Sequence, residues 1–163
     1  MKIFHLQPQI GKSYVNLNLN LGCALTIGNF DGVHRGHQAM LALLKNEASH
    51  RNIPSCVMTF EPHPRDYFAK LTKNPDLAPA RIATLRDKLT ELARCGIDHC
   101  VVLPFNAAFA AQSPQNFIDD VLVKSLGAKY VLVGEIFALA LSVLAITPCW
   151  MLQENKLALK SPA

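Results

Sequence analysis

No run of lysine and arginine with interleaved aromatics occurs along these 163 residues, so the sequence offers no basic stripe for nucleic acid. Charge is sparse altogether: 17% of residues are charged against 50% hydrophobic, the composition of a globular domain and not of a disordered chain. Sixteen Lys and Arg against twelve Asp and Glu leave a net charge of +4, spread along the chain, which suits an anionic small molecule as well as a polyanion. CxxC pairs are missing too. The five cysteines (Cys23, Cys56, Cys95, Cys100 and Cys149) have no metal-like spacing to histidine, and several lie inside apolar runs. They read as reduced core thiols of a cytoplasmic protein. No long apolar segment follows Met1-Lys2-Ile3-Phe4-His5, which argues against a secretory signal. Internal repeats and low-complexity tracts are absent as well. The length suits one domain with a sizeable core and is too short for two.

What is present is an alternation of short apolar runs with helical patterns between about Cys23 and Val133. Ala24–Gly28, Pro54–Phe60, Cys100–Leu103 and Tyr130–Val133 are predicted strands. A helix is expected over His37–Ser49. A second begins at Thr84, with Leu85, Leu89, Leu92 and Ala93 on one face and Gly96 closing it. A third has Ser113 as cap, Pro114 in its first turn and Gly127 as stop. The strands are continuous apolar runs, the pattern of parallel strands buried on both faces. Such alternation predicts an α/β fold with a doubly wound parallel sheet, its ligands at the carboxyl ends of the strands.

The densest chemical signal is Thr26-Ile27-Gly28-Asn29-Phe30-Asp31-Gly32-Val33-His34-Arg35-Gly36-His37, at the end of a strand and the opening of a helix. A helix N-terminus presents free N–H groups and positive partial charge to a phosphate. Gly28, Gly32 and Gly36 let the backbone turn sharply and approach a ligand closely. His34 and His37, three residues apart, share one face if the turn is helical and can donate to the oxygens of a triphosphate. No GK[ST] ending of a P-loop is present, and the sequence places no further zinc ligands nearby. A second candidate is Phe60-Glu61-Pro62-His63-Pro64, where two prolines stiffen the chain and an aromatic ring can stack on a planar ligand; an ordinary strand-exit loop fits these residues equally well.

The element His34-Arg35-Gly36-His37 resembles the HxGH signature of the nucleotidyltransferase superfamily, with its Rossmann-like sheet. The longer string Ile27-Gly28-Asn29-Phe30-Asp31-Gly32-Val33-His34 is similar to that of the bacterial bifunctional riboflavin kinase/FAD synthetases, in their FMN adenylyltransferase module. Val57-Met58-Thr59-Phe60-Glu61-Pro62-His63-Pro64-Arg65, Arg81-Ile82-Ala83-Thr84-Leu85-Arg86-Asp87-Lys88 and Leu126-Gly127-Ala128-Lys129-Tyr130-Val131-Leu132-Val133-Gly134 continue the likeness in order. It covers about residues 1–135.

The resemblance implies FAD synthesis in riboflavin metabolism, by adenylyl transfer from ATP to FMN with release of pyrophosphate and with Mg2+ accompanying ATP. It implies His34 and His37 on the ATP phosphates and Gly28, Phe30, Asp31 and Gly36 around the nucleotide. Asp31 is open to two roles, orienting the turn or a magnesium-bound water, and the metal ligands stay unassigned. Phe60, Pro62, His63 and Pro64 would form the flavin side of the site. Asn106 would reach the flavin or cap a helix.

The likeness ends near residue 135. From Ile136 to Leu152 there is no charge, a length just short of a bilayer span and interrupted by Pro148. A buried helix, or a tail diverged from that of a working enzyme, fits it better than a membrane span. Ile136 stands where the family has a polar group, and the later serine/threonine-rich motif ending in arginine is not found. The expected organisation is an adenylyltransferase-like domain over 1–137 and an atypical apolar tail over 138–163, with the riboflavin kinase barrel absent. Two function classes follow: an adenylyltransferase, impaired by its ending, or an inactive nucleotide- and flavin-binding remnant.

Overall fold

A computed structural model describes residues 1–6, 20–78 and 80–133. Glu135, Ile136, the uncharged run to Leu152, the boundary at 137 and Cys149 lie outside the described residues.

Strands β1 (Lys2–His5), β2 (Ala24–Ile27), β3 (Ser55–Phe60), β4 (His99–Leu103) and β5 (Tyr130–Leu132) form one sheet in the order β1-β4-β3-β2-β5, every neighbouring pair parallel. All four residues of β2 and all six of β3 are buried, as their unbroken apolar runs require. Helix α1 (Arg35–His50) joins β2 to β3, α2 (Pro64–Thr72) and α3 (Leu85–Arg94) lie between β3 and β4, and α4 (Ala107–Ala110) follows β4. The short α5 (Pro114–Asn116) then runs into π-helical turns over Phe117–Ser125.

The sheet is covered on both sides. Leu41, Leu44 and Ala48 of α1 pack with Leu92 of α3 against Val57, Cys100 and Val102 on one face. Phe117, Ile118, Val121 and Leu122 pack against Met58, Val101 and Leu103 on the other. Each Leu-sized side chain so buried contributes about 1.5–3 kcal/mol. The doubly wound α/β sheet expected from the alternation is therefore the architecture observed. Among the described residues no helix is long and apolar enough to cross a membrane.

Helix boundaries follow local chemistry. The Thr84 hydroxyl accepts from Asp87 N–H while the Asp87 carboxylate accepts from Thr84 N–H, a capping box that starts α3. The Ser113 hydroxyl accepts from Asn116 N–H at 3.2 Å. Three cysteines, Cys23, Cys56 and Cys100, are buried and unbridged, and burial pushes the Cys100 thiol up to about 12.

Strand order sets the position of the site. From β2 the chain steps to β3 and then β4 on one side, and β5 returns to the other side of β2. Ligands in open α/β sheets bind where that direction reverses, beyond the strand carboxyl ends. The loops after β2 and β3 are neighbours there: Gly28 N–H donates to Met58 O at 3.1 Å, and the Thr59 hydroxyl donates to Asn29 O at 3.1 Å.

Candidate nucleotide and flavin site

The loop after β2 is tightly wound. Phe30 and Val33 hold φ of 50° and 37° in the left-handed region, a strain of about 1–3 kcal/mol each. Both side chains are buried, which offsets it. Gly32 has φ 68°, and a Cβ there would lie 2.9 Å from Ile82, so glycine serves both the turn and a close approach. A Cβ on Gly28 would meet the Phe30 ring at 3.1 Å. That ring is fully buried and 5.0 Å from His37, supporting the turn from beneath.

His34 caps α1. Its Nδ1 accepts from His37 N–H at 3.4 Å, so the neutral ring carries its proton on Nε2 and presents a donor there. The His34 and His37 rings stack with centroids 3.7 Å apart and planes at 20°. A Cβ on Gly36 would come within 3.2 Å of the His34 ring, so the glycine of HxGH makes room for that imidazole. Burial, reinforced by the field of His34, lowers the His37 pKa to about 4, and the ring is neutral at physiological pH. Its Nδ1 is buried without a hydrogen-bond partner among the described residues.

Asp31 has a structural task. Its two carboxylate oxygens accept from Ile82 N–H and Ala83 N–H, each at 3.0 Å. Burial pushes its carboxyl up, but those two bonds and the fields of Lys88 and His63 outweigh it and hold the group below the usual range. Arg81, next in the same segment, donates to Glu61 at 2.8 Å and through Nε to Asp66 at 2.9 Å. Residues 81–83 thus form a strap tied to the loops after β2 and β3 and to α2.

On the β3 side, the Glu61–Pro62 peptide is cis, His63 caps α2 and Pro64 is its first residue. His63 Nδ1 accepts from Arg65 N–H at 3.1 Å, and burial lowers its pKa. His37 and His63 both lie in the fields of Asp31 and Lys88, and the loops that lead to them are joined at the carboxyl ends of β2 and β3 by the Thr59–Asn29 bond. Pro62 lines a cavity of about 650 Å³ with Glu61, Asp66, Lys70 and Arg81. Phe60 is 4% exposed and belongs to an aromatic group with Phe105 and Phe109, at 5.8 and 5.5 Å. The accessible rings beside it are Phe68 and Phe105, 5.7 Å apart; Phe68 carries no signal in the sequence beyond its type. Asn106 Oδ1 accepts from Phe109 N–H at 2.9 Å and caps α4.

Sequence reasoning gave Lys88 no task of its own. It is 5% exposed, and its Nζ donates to the Thr59 hydroxyl at 3.2 Å. The available signal was its place between Leu85, Leu89 and Leu92 on the apolar stripe of a helix, where a charge is out of pattern.

The residues do not make a magnesium cage. Both Asp31 oxygens face backbone N–H groups, and among the described residues no group of three or more His, Cys, Asp or Glu could hold a metal. A magnesium ion suits one or two carboxylates plus substrate phosphates and waters.

Comparison with known proteins identifies relatives of the chain. The sequence profile of the family described as FAD synthetase matches residues 17–142. The chain is 53% identical over 116 residues to the bifunctional riboflavin kinase/FMN adenylyltransferase of Escherichia coli (strain K12), covering 71% of this chain and 36% of that protein. It is 46% identical over 116 residues to the protein of the same description from Pseudomonas fluorescens, covering 71% and 35%. The chain thus spans about a third of the length of these curated relatives. Among solved structures, one described as a macrolide-efflux protein from Streptococcus pneumoniae aligns with a TM-score of 0.56 at 26% identity, over 69% of this chain and 36% of that one.

Proposed function

The chain belongs to the FAD synthetase family, and from that membership we propose that it transfers an adenylyl group from ATP to FMN, forming FAD and pyrophosphate. Residues 1–137 carry this role. The observation that supports it best is the stacked His34–His37 pair at the start of α1, beside the aromatic and proline-rich end of β3.

In the proposed reaction an oxygen of the FMN phosphate attacks the α-phosphorus of ATP. The bond to the bridging oxygen breaks, and its electron pair leaves with pyrophosphate. Such transfers need positioning and charge stabilisation more than a covalent nucleophile. Nε2–H of His34 and the free N–H groups of the first turn of α1 donate to phosphate oxygens. Neutral His37 offers a further donor, with Phe30, Gly28 and Gly36 fixing its surroundings. Pro62, His63 and Pro64 with the rings around Phe60 take the flavin, and Asn106 acts by holding α4. Asp31 serves the nucleotide through the strap. Magnesium enters as the counter-ion that ATP brings with it.

The inactive, ligand-binding alternative is favoured by one observation, Ile136 in place of a polar group, since an alkyl chain can hold neither phosphate nor metal. We therefore expect binding of both substrates with turnover well below that of an intact enzyme. Titrating FMN by its fluorescence, with and without ATP, tests the site: both ligands should bind, and failure of FMN to bind in either titration would refute the reading.

A further inference from the structure

Lys88 is a buried cation with little to hold it. An ammonium has three N–H donors, and among the described residues Lys88 uses one, to Thr59. Among the described residues no carboxylate lies within 4.0 Å of its Nζ. The acids that act on it, Glu61 and Asp31, are engaged elsewhere, Glu61 with Arg81 and Asp31 with two backbone N–H groups. A buried charge without a partner is strongly unfavourable, so a protein keeps one where an anion compensates it.

The position of the ammonium says which anion. Thr59 is the penultimate residue of β3, and its hydroxyl donates to Asn29 O in the loop after β2. Because lysine can only donate, Thr59 must accept from it and donate onward, which ties Nζ through one hydroxyl to Asn29 in the loop that leads to His34 and His37. In the loop after β2 and the first turn of α1, Asn29 Oδ1 and His37 Nδ1 are buried without partners among the described residues. Lys88 also lies close enough to His37 and His63 to depress the pKa of each. Burial keeps its own pKa below that of an ordinary lysine.

We propose that Lys88 is a direct phosphate ligand of the nucleotide site, holding an oxygen of the polyphosphate with the N–H groups not given to Thr59. The assignment rests on the nucleotide reading above and adds a contact from α3 to those offered by the start of α1. A bound polyphosphate would neutralise the buried cation.

The test is calorimetric titration of the full chain with inorganic tripolyphosphate, and separately with FMN, for the parent and for Lys88→Met, Lys88→Arg and Thr59→Val. The expected result is at least a tenfold loss of tripolyphosphate affinity in Lys88→Met, a smaller loss in Thr59→Val, which only frees the ammonium from its anchor, and Lys88→Arg within about threefold of the parent. Affinity in Lys88→Met within twofold of the parent would overturn the proposal. So would a Thr59→Val loss as large as that of Lys88→Met, which would make Lys88 a prop for the turn, or a parent that does not bind tripolyphosphate. If Lys88→Met does not fold, lysine-specific NMR of the parent decides: saturating tripolyphosphate should raise the Lys88 pKa, and an unchanged value overturns the assignment. Parent binding tripolyphosphate through Lys88 but refusing FMN would refute the adenylyltransferase reading and leave this one standing.

Discussion

His37 is where packing and chemistry meet in one side chain. Its ring touches Phe30 and stacks on His34, and burial holds it neutral. Replacing it by alanine should slow any adenylyl transfer a hundred- to thousand-fold, roughly 3–4 kcal/mol, the typical worth of one donor aimed at developing charge. Circular dichroism should show the variant folded; equal activity of variant and parent would make the histidine merely structural. The residue also carries a pH signature. Its folded pKa of about 4 lies below the ordinary 6.5, so between those values the unfolded chain binds the extra proton. The stability it contributes is complete above pH 6.5 and is lost as pH falls through 4. In NMR titration the His37 ring should show a midpoint near 4, and a midpoint near 6.5 would contradict the packing described.

Two elements can be perturbed without removing those rings. Gly36 lies in the first turn of α1, where alanine improves helix propensity by up to about 1 kcal/mol. Its Cβ would press on His34 at 3.2 Å, so Gly36→Ala should melt no lower than the parent yet bind ATP at least tenfold more weakly. Unchanged ATP affinity would show that His34 need not sit where it does. The strap is the second element. Asp31→Ala removes two charge-assisted acceptors, a loss of about 1–3 kcal/mol in all at this partly exposed position. Amide exchange at Ile82 and Ala83 should accelerate at least tenfold, whereas exchange of the α1 amides should not; uniform acceleration would mean that Asp31 supports the whole fold.

At the scale of the molecule, the sheet was legible where both faces of a strand are buried. β2, β3, β4 and β5 are largely apolar runs free of Asp, Glu, Lys and Arg, and the caps of α3 and of the helix after Ser113 stand at the residues their side chains announce. β1 left no such trace, because its four residues lie on an edge and three are exposed. Helix α2 hid behind the prolines that start it, and its large apolar residues Phe68 and Leu71 face solvent, so no buried stripe marks it. Within the site, the spacing of His34 and His37 carried its own meaning. The burial of Phe30 and Phe60 did not, since a ring in a loop reads the same whether it faces a ligand or the core. Asp31 had two open roles in the sequence, and its bonds to Ile82 and Ala83 come from a segment fifty residues away, which no local pattern encodes.

The account stands most directly on FAD formation. Residues 1–163 are incubated with ATP, FMN and magnesium, alongside the His37→Ala variant and an intact enzyme of the family, and FAD is followed by chromatography. The predicted result is FAD appearing slowly, well below the rate of the intact enzyme, and falling at least a hundredfold further in His37→Ala. FAD formation undiminished by His37→Ala would contradict the assignment of the transfer site to the start of α1.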